Sequence, residues 1–371
     1  MCRRRATGDM TSYVCTNCGR GMPEGFAHRC PACGGVFDVA GGLAFDPAAV
    51  EAGKPGVWRY RHSFGLDAGA PEVTLGEGNT PLVAARAFGR TVHFKVEGQN
   101  PTGSFKDRLT AVEVSYLASR GITEAVEDSS GNAGASFAAY AARAGIRAQV
   151  FVPDYASGPK RAQIERYGAE VMAVPGPRSE AAKAVGRAVE AGAHYASHAY
   201  LPHGLAGLAT LAYELVENLG GAPGAVLAPA GHGSLLLGLA YGFNALEAAG
   251  VIAAAPSLVG VQAMACAPLW ALTNHGTAGL GFITEGGTVA EGVRVRQPVR
   301  GDALLRLGQT QPIHFLAIPE EDILPGRDEL ARLGFYVEPT SALVWKGLGL
   351  VIDQAHDPVV AILTGHGLKA A

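Results

Sequence analysis

The chain has 371 residues, 48% of them hydrophobic and 17% charged, with a formal net charge of −3 and a sequence pI of about 6.4. That length suits about two to three domains and a sizeable core, and that charge balance gives no footprint for nucleic acid or an anionic membrane. The 51 glycines and 22 prolines follow no collagen-like or low-complexity period, and no apolar run is long enough to cross a bilayer.

Met1-Cys2-Arg3-Arg4-Arg5 is basic, but no apolar segment follows it, so no secretory signal is expected and the cytoplasm is the expected compartment. Four of the six cysteines form one pattern: Cys15 and Cys18, then an eleven-residue gap, then Cys30 and Cys33. Each pair brings two thiolates to one turn, and together they make a tetrahedral sulfur cage suited to zinc. Four sulfurs leave no open position, so such a zinc would be structural. The alternative is two disulfides, which the cytoplasmic reading disfavours. Cys2 and Cys266 have no partner pattern, and Cys266 reads as an ordinary buried cysteine.

Asp46 to Ala70 reads as an ordered connector with scattered aromatics, Trp58, Tyr60 and Phe64, and Thr74 to Leu82 is turn-rich. Short apolar strands are then expected at 91–97, 148–152, 170–174, 225–228 and 258–262. Helical periodicity fills 104–120, 134–144, 159–167, 179–191, 205–219 and 234–249. Strands alternating with helices predict an α/β fold with a parallel sheet covered on both faces.

The first strand leads to Asn100-Pro101-Thr102-Gly103-Ser104-Phe105-Lys106-Asp107-Arg108. Ser104 reads as a helix N-cap, followed by a buried stripe of Leu109, Val112 and Tyr116. Lys106 then falls in the first turn, where the helix dipole opposes an ammonium and raises the free-amine fraction. A neutral amine is what Schiff-base chemistry requires; the alternative is a solvated lysine whose head turns to water.

Two glycine-rich turns follow later strands. Ser129-Ser130-Gly131-Asn132-Ala133-Gly134 offers hydroxyls, an amide and a helix start, which suit a carboxylate. Pro229-Ala230-Gly231-His232-Gly233-Ser234-Leu235 lets backbone N–H groups approach an anion and makes a phosphate cradle. A dinucleotide site is disfavoured, because this is not a G-x-G-x-x-G loop opening the first βαβ unit. A lysine placed for imine chemistry, a phosphate cradle and a carboxylate loop together fit pyridoxal 5'-phosphate (PLP) acting on an amino acid.

The stretch from Asn100 to Arg108 resembles the PLP-lysine motif of threonine synthases. Ser129 to Gly134, Glu338-Pro339-Thr340-Ser341-Ala342 and Leu363-Thr364-Gly365-His366-Gly367-Leu368-Lys369 resemble the family's other motifs in order. The four-cysteine ribbon also occurs in this family. The resemblance covers nearly the whole chain and implies the two-domain fold type II (tryptophan synthase β-like) architecture with a small N-terminal zinc ribbon. It implies a ribbon at 12–40, a larger domain from 41–109 with 201–371, and a smaller one from 110–200, closing on substrate. It further implies a small-molecule amino-acid substrate and a homodimer.

Carried over residue by residue, the resemblance makes Lys106 the cofactor lysine and proton shuttle, and Asn132 the partner of the cofactor's phenolic oxygen. Ser129, Ser130, Gly131 and Ala133 would hold the substrate carboxylate. Gly231, His232, Gly233, Ser234 and Leu235 would wrap the cofactor phosphate, and Thr364 would face the pyridine nitrogen. Glu338 reads as a helix-start acid before Pro339, with no catalytic role.

The chain departs from the family where N-S-x-N-P-x-R is usual: Ala199 stands at the serine and Gly204 at the arginine that helps bind the substrate's phosphate. Losing such a pair costs about 2–5 kcal/mol of binding unless another base replaces it. Lys160, Arg161, His198 and His203 are the candidate replacements. Arg294 and Arg296 are expected to alternate on one face of a strand. The first reading is O-phosphohomoserine converted to threonine and phosphate. The alternatives are a related PLP lyase or β-replacement enzyme, such as a serine/threonine dehydratase or a cysteine or cysteate synthase-like enzyme, and a non-catalytic binding protein.

Overall fold

The computed structural model describes residues 12–23, 27–156, 158–176 and 178–370, so Met1–Arg5, Cys2 among them, lies outside the described residues. Strands β1 (Tyr13–Cys15) and β2 (Phe37–Val39) form a small antiparallel ribbon. Strands β3 (Leu82–Ala87) and β4 (Arg90–Val96) open a second sheet as an antiparallel pair. The chain then builds a separate parallel sheet from β5 (Glu124–Glu127), β6 (Arg147–Pro153), β7 (Glu170–Val174) and β8 (His194–Tyr195), in the order β7-β6-β5-β8. It returns to the first with β9 (Ala225–Pro229), β10 (Ser257–Ala263), β11 (Ile313–Ile318) and β12 (Val359–Leu363), completing the order β11-β10-β9-β12-β4-β3. The helices are α1 (Lys106–Ser119), α2 (Asn132–Ala144), α3 (Pro159–Arg166), α4 (Arg178–Glu190), α5 (Gly204–Leu219), α6 (Ser234–Ala248), α7 (Pro268–Gly279), α8 (Gly301–Leu307), α9 (Ile323–Arg332) and α10 (Pro339–Val351). Among the described residues, no helix is long and apolar enough to cross a membrane.

All five expected strands and all six expected helices form, with ends shifted by a residue or two. Strands β1, β2, β3, β5, β8, β11 and β12 and helices α7 to α10 are absent from that expectation, and among them β12 is central to the six-stranded sheet. Its Val-Val-Ala-Ile-Leu run is buried throughout and lies between β9 and β4, so no polar alternation marks it. The connector is ordered as expected, with Trp58, Tyr60 and Phe64 in the core.

Helix α1 departs from the amphipathic stripe. Every residue from Asp107 to Ser115 is buried, while Tyr116 is only half-buried. The helix is packed against both α2 and α5. Its approach to α5 is close enough that a Cβ on Gly207 would lie 2.0 Å from the Arg108 carbonyl oxygen. Ser104 does not cap α1. Phe105 occupies the cap position in helical backbone, and the Ser104 Oγ is buried without a partner. The turn is held instead by Asp107, which accepts from the Thr102 N–H at 2.7 Å and the Thr102 hydroxyl at 2.5 Å. The segment carrying Arg294 and Arg296 is not a strand either. Glu291–Val293 makes a 3-10 turn, and the Gly292 N–H goes to Thr340 Oγ1 at 3.1 Å rather than to a sheet.

The polar centre of the body is a buried charge network. Arg108 donates to Glu97 Oε2 and to Glu214 Oε1, each at 2.7 Å, and Lys95 donates to Glu214 Oε2 at 2.7 Å. Thr80 bonds Glu97 through its hydroxyl and Lys95 through its carbonyl. Two cations balance two carboxylates, the arrangement that buried charge requires. Burial alone would raise the Glu214 carboxyl, but Arg108 and Lys95 hold it down at about 2.

Replacing Arg108 by Gln leaves two buried carboxylates against one ammonium and is expected to cost about 3–5 kcal/mol in urea unfolding. The sign with pH follows from the depressed Glu214 value. Its contribution is complete above the usual carboxylate range and is lost as pH falls through that range towards about 2. Arg108→Gln should therefore lose stability less steeply than the parent on acidification in that window.

Candidate active site

Parallel strands present their C-terminal ends on one edge, and the loops that leave those ends meet here. Lys106 follows β4 as the first residue of α1. Its loop is stitched to the segment after β12. The Phe105 N–H donates to the Thr364 carbonyl at 3.0 Å, and the His366 N–H donates to the Gly103 carbonyl at 3.0 Å. Burial pulls the Lys106 ammonium down to about 8; the Glu127, Glu113 and Glu338 carboxylates oppose this and Arg178 assists it. The depressed value expected from the helix start is present, with burial as its main cause.

Asn132 opens α2 after the Ser129–Gly131 turn. The turn is so tight that a Cβ at Gly134 would sit 1.8 Å from the Ser129 carbonyl oxygen. The Ser129 hydroxyl accepts from the Gly131 N–H at 3.2 Å, while Ser130 and Ala133 complete the turn. Asn132 donates its amide to both oxygens of Glu338, at 2.9 and 3.1 Å, and its Oδ1 is buried without a partner. Lys160 also reaches Glu338, at 3.1 Å.

Gly231 to Leu235 leave β9 and begin α6. A Cβ on Gly231 would lie 2.7 Å from the Gly292 carbonyl oxygen, so this loop is closed to larger residues. Helix α6 starts without a side-chain cap, leaving its first N–H groups directed at the loop. The Ser234 Oγ and His232 Nδ1 are buried and unpartnered. Thr364 Oγ1 lies 2.9 Å from Ser341 Oγ in a buried pair.

A PLP molecule fits this set of groups: an amine held part-neutral, an uncapped helix start with a hydroxyl beside it, and buried polar atoms left unpaired at Asn132, His232 and Ser234. Lys106, Asn132, the Gly231–Leu235 loop and Thr364 thus come together. Ser129 and Ser130 stand beside them, and His198 joins from the turn after β8. His198 shares a 2.6 Å hydrogen bond with Glu127 Oε1, and its ring meets that of His232 edge-on at 5.5 Å. Burial pushes the Glu127 carboxyl up to about 8 and the His198 imidazolium down. Glu127 Oε2 has no partner.

His203 is not brought to this place. It stacks on Tyr116 at 3.5 Å and meets Tyr13 of the ribbon at 4.3 Å. Arg161 turns away to Glu165 at 3.0 Å. A Cβ on Gly204 would lie 2.5 Å from Leu109 Cγ and 3.0 Å from Glu113 Oε1, so this position is closed by helix packing.

Arg178 and Glu127 were not singled out by sequence, and Glu338 was read only as a helix-start acid. Glu338 stands before Pro339 at the start of α10, as expected, but its buried carboxylate spans from the six-stranded sheet to α2 and α3. Arg178, at the start of α4, exerts its charge on Lys106, Glu127, Asp128, His198 and His232. Glu127 ends a short strand and carries no motif. Only Glu338 and Ser341 had a signal, being inside a family-like motif.

Glu127→Gln keeps a hydrogen-bond acceptor for His198 but removes a carboxylate that raises Lys106. Lys106 is then expected to titrate below about 8. The pH dependence of its acetylation, followed by peptide mass, reads this directly, and an unchanged value would show that Glu127 does not act on the amine.

A family model described as Pyridoxal-phosphate dependent enzyme matches residues 73–365. The threonine synthase of Mycobacterium tuberculosis (strain ATCC 25618 / H37Rv) is 34% identical over 342 residues, covering 88% of this chain and 92% of that one. The threonine synthase of Methanosarcina acetivorans is 29% identical over 377 residues, covering 97% and 92%. The crystal structure of the T.th. threonine deaminase superposes with a TM-score of 0.64 at 28% identity, covering 77% of this chain and 92% of that one. The chain therefore belongs to the pyridoxal-phosphate dependent enzymes of fold type II, as a threonine synthase-like lyase.

Proposed function

We propose that this site converts O-phosphohomoserine to threonine and phosphate. The observation that carries the site is the meeting of Lys106, Asn132, the Gly231–Leu235 loop and Thr364 at the strand ends, with buried polar atoms left unpaired among them. The substrate rests on the threonine synthases to which the chain is similar. When bound, PLP supplies an electron sink for charge developing on the substrate's carbon chain. Lys106 would hold it and, as an amine near neutrality, would take and return protons at Nζ. Ser129, Ser130, Gly131 and Ala133 orient the substrate carboxylate through the turn and the start of α2. Gly231, His232, Gly233, Ser234 and Leu235 would hold the cofactor phosphate. Thr364, paired with Ser341, would offer the pyridine nitrogen a hydroxyl, which would moderate the sink. His198, held by Glu127, faces the substrate side chain.

A second reading has its own support. The closed position of Gly204 leaves no room for the phosphate-binding arginine of the family, which favours a substrate without phosphate, as in a serine/threonine dehydratase or a β-replacement enzyme.

Cys15, Cys18, Cys30 and Cys33 are proposed to hold a structural zinc. Their sulfurs all lie within 4.8 Å of one another, with Cys15–Cys33 at 3.4 Å and Cys18–Cys30 at 3.6 Å. These separations suit a tetrahedral cage and exceed the roughly 2.05 Å of a disulfide. Free cysteines also support a cytoplasmic location. The domains are proposed at 12–40, at 41–109 with 201–371, and at 110–200, in a homodimer. The Glu338 bridge to Asn132 and Lys160 supports a cleft that closes on substrate, and an unchanged small-angle scattering curve with a substrate analogue would count against closure.

The deciding assay is a panel on the PLP-loaded protein: O-phosphohomoserine, L-serine, L-threonine, O-acetyl-L-serine and O-phospho-L-serine. Threonine and phosphate from the first are expected. Turnover of another substrate alone would replace this reading by the second. Lys106→Ala should lose both turnover and the cofactor that borohydride fixes to the protein, and a label retained elsewhere would move the assignment to another lysine.

A further inference from the structure

The four-cysteine ribbon is tied to the phosphate cradle through one buried residue, by its side chain at one end and its backbone at the other. Arg300 donates Nη1 to the Phe37 carbonyl at 2.6 Å and Nη2 to the Tyr200 carbonyl at 2.8 Å. Its own N–H donates to the His232 carbonyl at 2.9 Å. A Cβ on Gly233 would lie 3.4 Å from the Arg300 Cβ, so the residue lies directly behind the cradle. Only 1% of Arg300 is exposed.

The ribbon end of this link depends on the cysteines. Phe37 is paired with Cys15 across β1 and β2 and packs with Cys15 and Cys30. Two further bonds run in parallel. The Tyr241 hydroxyl, on α6, donates to Asp38 Oδ2 at 2.9 Å, and Arg306, on α8, donates to the Thr16 carbonyl at 3.1 Å. Helix α6 is the one whose start forms the cradle. A guanidinium with two short bonds to fixed carbonyls has little freedom, so the ribbon's fold and the loop's conformation are mechanically joined.

We propose that the ribbon, when it holds its metal, positions Arg300 and thereby keeps the Gly231–Ser234 loop in the shape that accepts a phosphate group. Arg300 is a positioning residue here, acting through the His232 carbonyl. The proposal rests on the reading of this loop as the cradle of the PLP phosphate. A ribbon that only covers apolar surface would stabilise the protein without affecting which cofactor form it prefers.

That difference supplies the test. Dissociation constants for PLP and for pyridoxal, which lacks the phosphate, are measured by absorbance titration on the cofactor-free full chain. The parent is compared with Cys33→Ser, Arg300→Lys and Ser234→Ala. Ser234→Ala reports on the cradle itself, and the other two report on the link. The parent should prefer PLP, and all three variants should lose about tenfold or more of that preference while pyridoxal affinity holds. A parent that binds both forms equally overturns the cradle and the proposal with it. A preference lowered in Ser234→Ala but intact in Cys33→Ser and Arg300→Lys overturns the link alone. Should those two variants not fold, zinc is withdrawn from the intact holoenzyme with a chelator while cofactor release is followed. Cofactor leaving in step with zinc supports the proposal; cofactor retained after zinc is gone, or protein purified without zinc, overturns it.

Discussion

The buried bonds of Arg108 to Glu97 and Glu214 decide where the chemistry of this protein stands. Arg108 lies two residues beyond Lys106 on α1, and its guanidinium is pinned to the end of β4 and to α5 at once. An unpaired charge at that depth is costly, so the helix cannot rotate or slide without breaking several charge-assisted bonds. Lys106 inherits that rigidity. The Thr102–Asp107 bonds hold the turn before it, and the Thr364 carbonyl holds Phe105 from the opposite side.

Around this fixed amine, the site is assembled from strand ends that are far apart in sequence. Each loop brings one kind of group: the amine after β4, the Ser129–Gly134 turn after β5, the Gly231–Leu235 loop after β9 and a hydroxyl after β12. Close backbone packing excludes side chains at Gly134 and Gly231, which leaves N–H groups and small polar side chains exposed to a ligand. The unpaired Asn132, His232 and Ser234 atoms are the complement of that packing. Buried polar atoms without partners are rare unless a ligand or water satisfies them.

The electrostatics differ from what motif matching implies. Gly204 seals a helix contact, and cationic character comes instead from Arg178 and Lys160, on helices that follow other strands of the smaller sheet. Acids crowd the amine as well: Glu127 and Glu113 act on Lys106, and Glu338 reaches across to Asn132. Burial drives Glu127 and Glu113 upward and His198 downward, each towards neutrality. Their proton occupancy is therefore a property of the packed interior rather than of residue type.

Much of this was legible in the sequence, because its determinants are local. Strand–helix alternation, the cysteine spacing and the glycine turns each follow from short-range stereochemistry, and they announced the α/β class, the sulfur cluster and the loops that bear Lys106, Asn132 and Ser234. Helix α1 has no side-chain cap, because Phe105 and not Ser104 stands at the cap position, while Asp107 ties the preceding loop through Thr102. Strand β12 lies outside the expected set although β9 and β10, also buried, lie within it; its pairing between β9 and β4 makes it a central strand. His203 was drawn to the site by its place in a motif, yet it stacks between Tyr116 and Tyr13. The chain by itself determined which chemical groups are available and roughly which turn carries each. Tertiary structure decided which of them meet, since the partners of Glu338, Glu127, Arg178 and Arg300 lie on other segments, and a charge's partner and its degree of burial exist only once those segments are packed together.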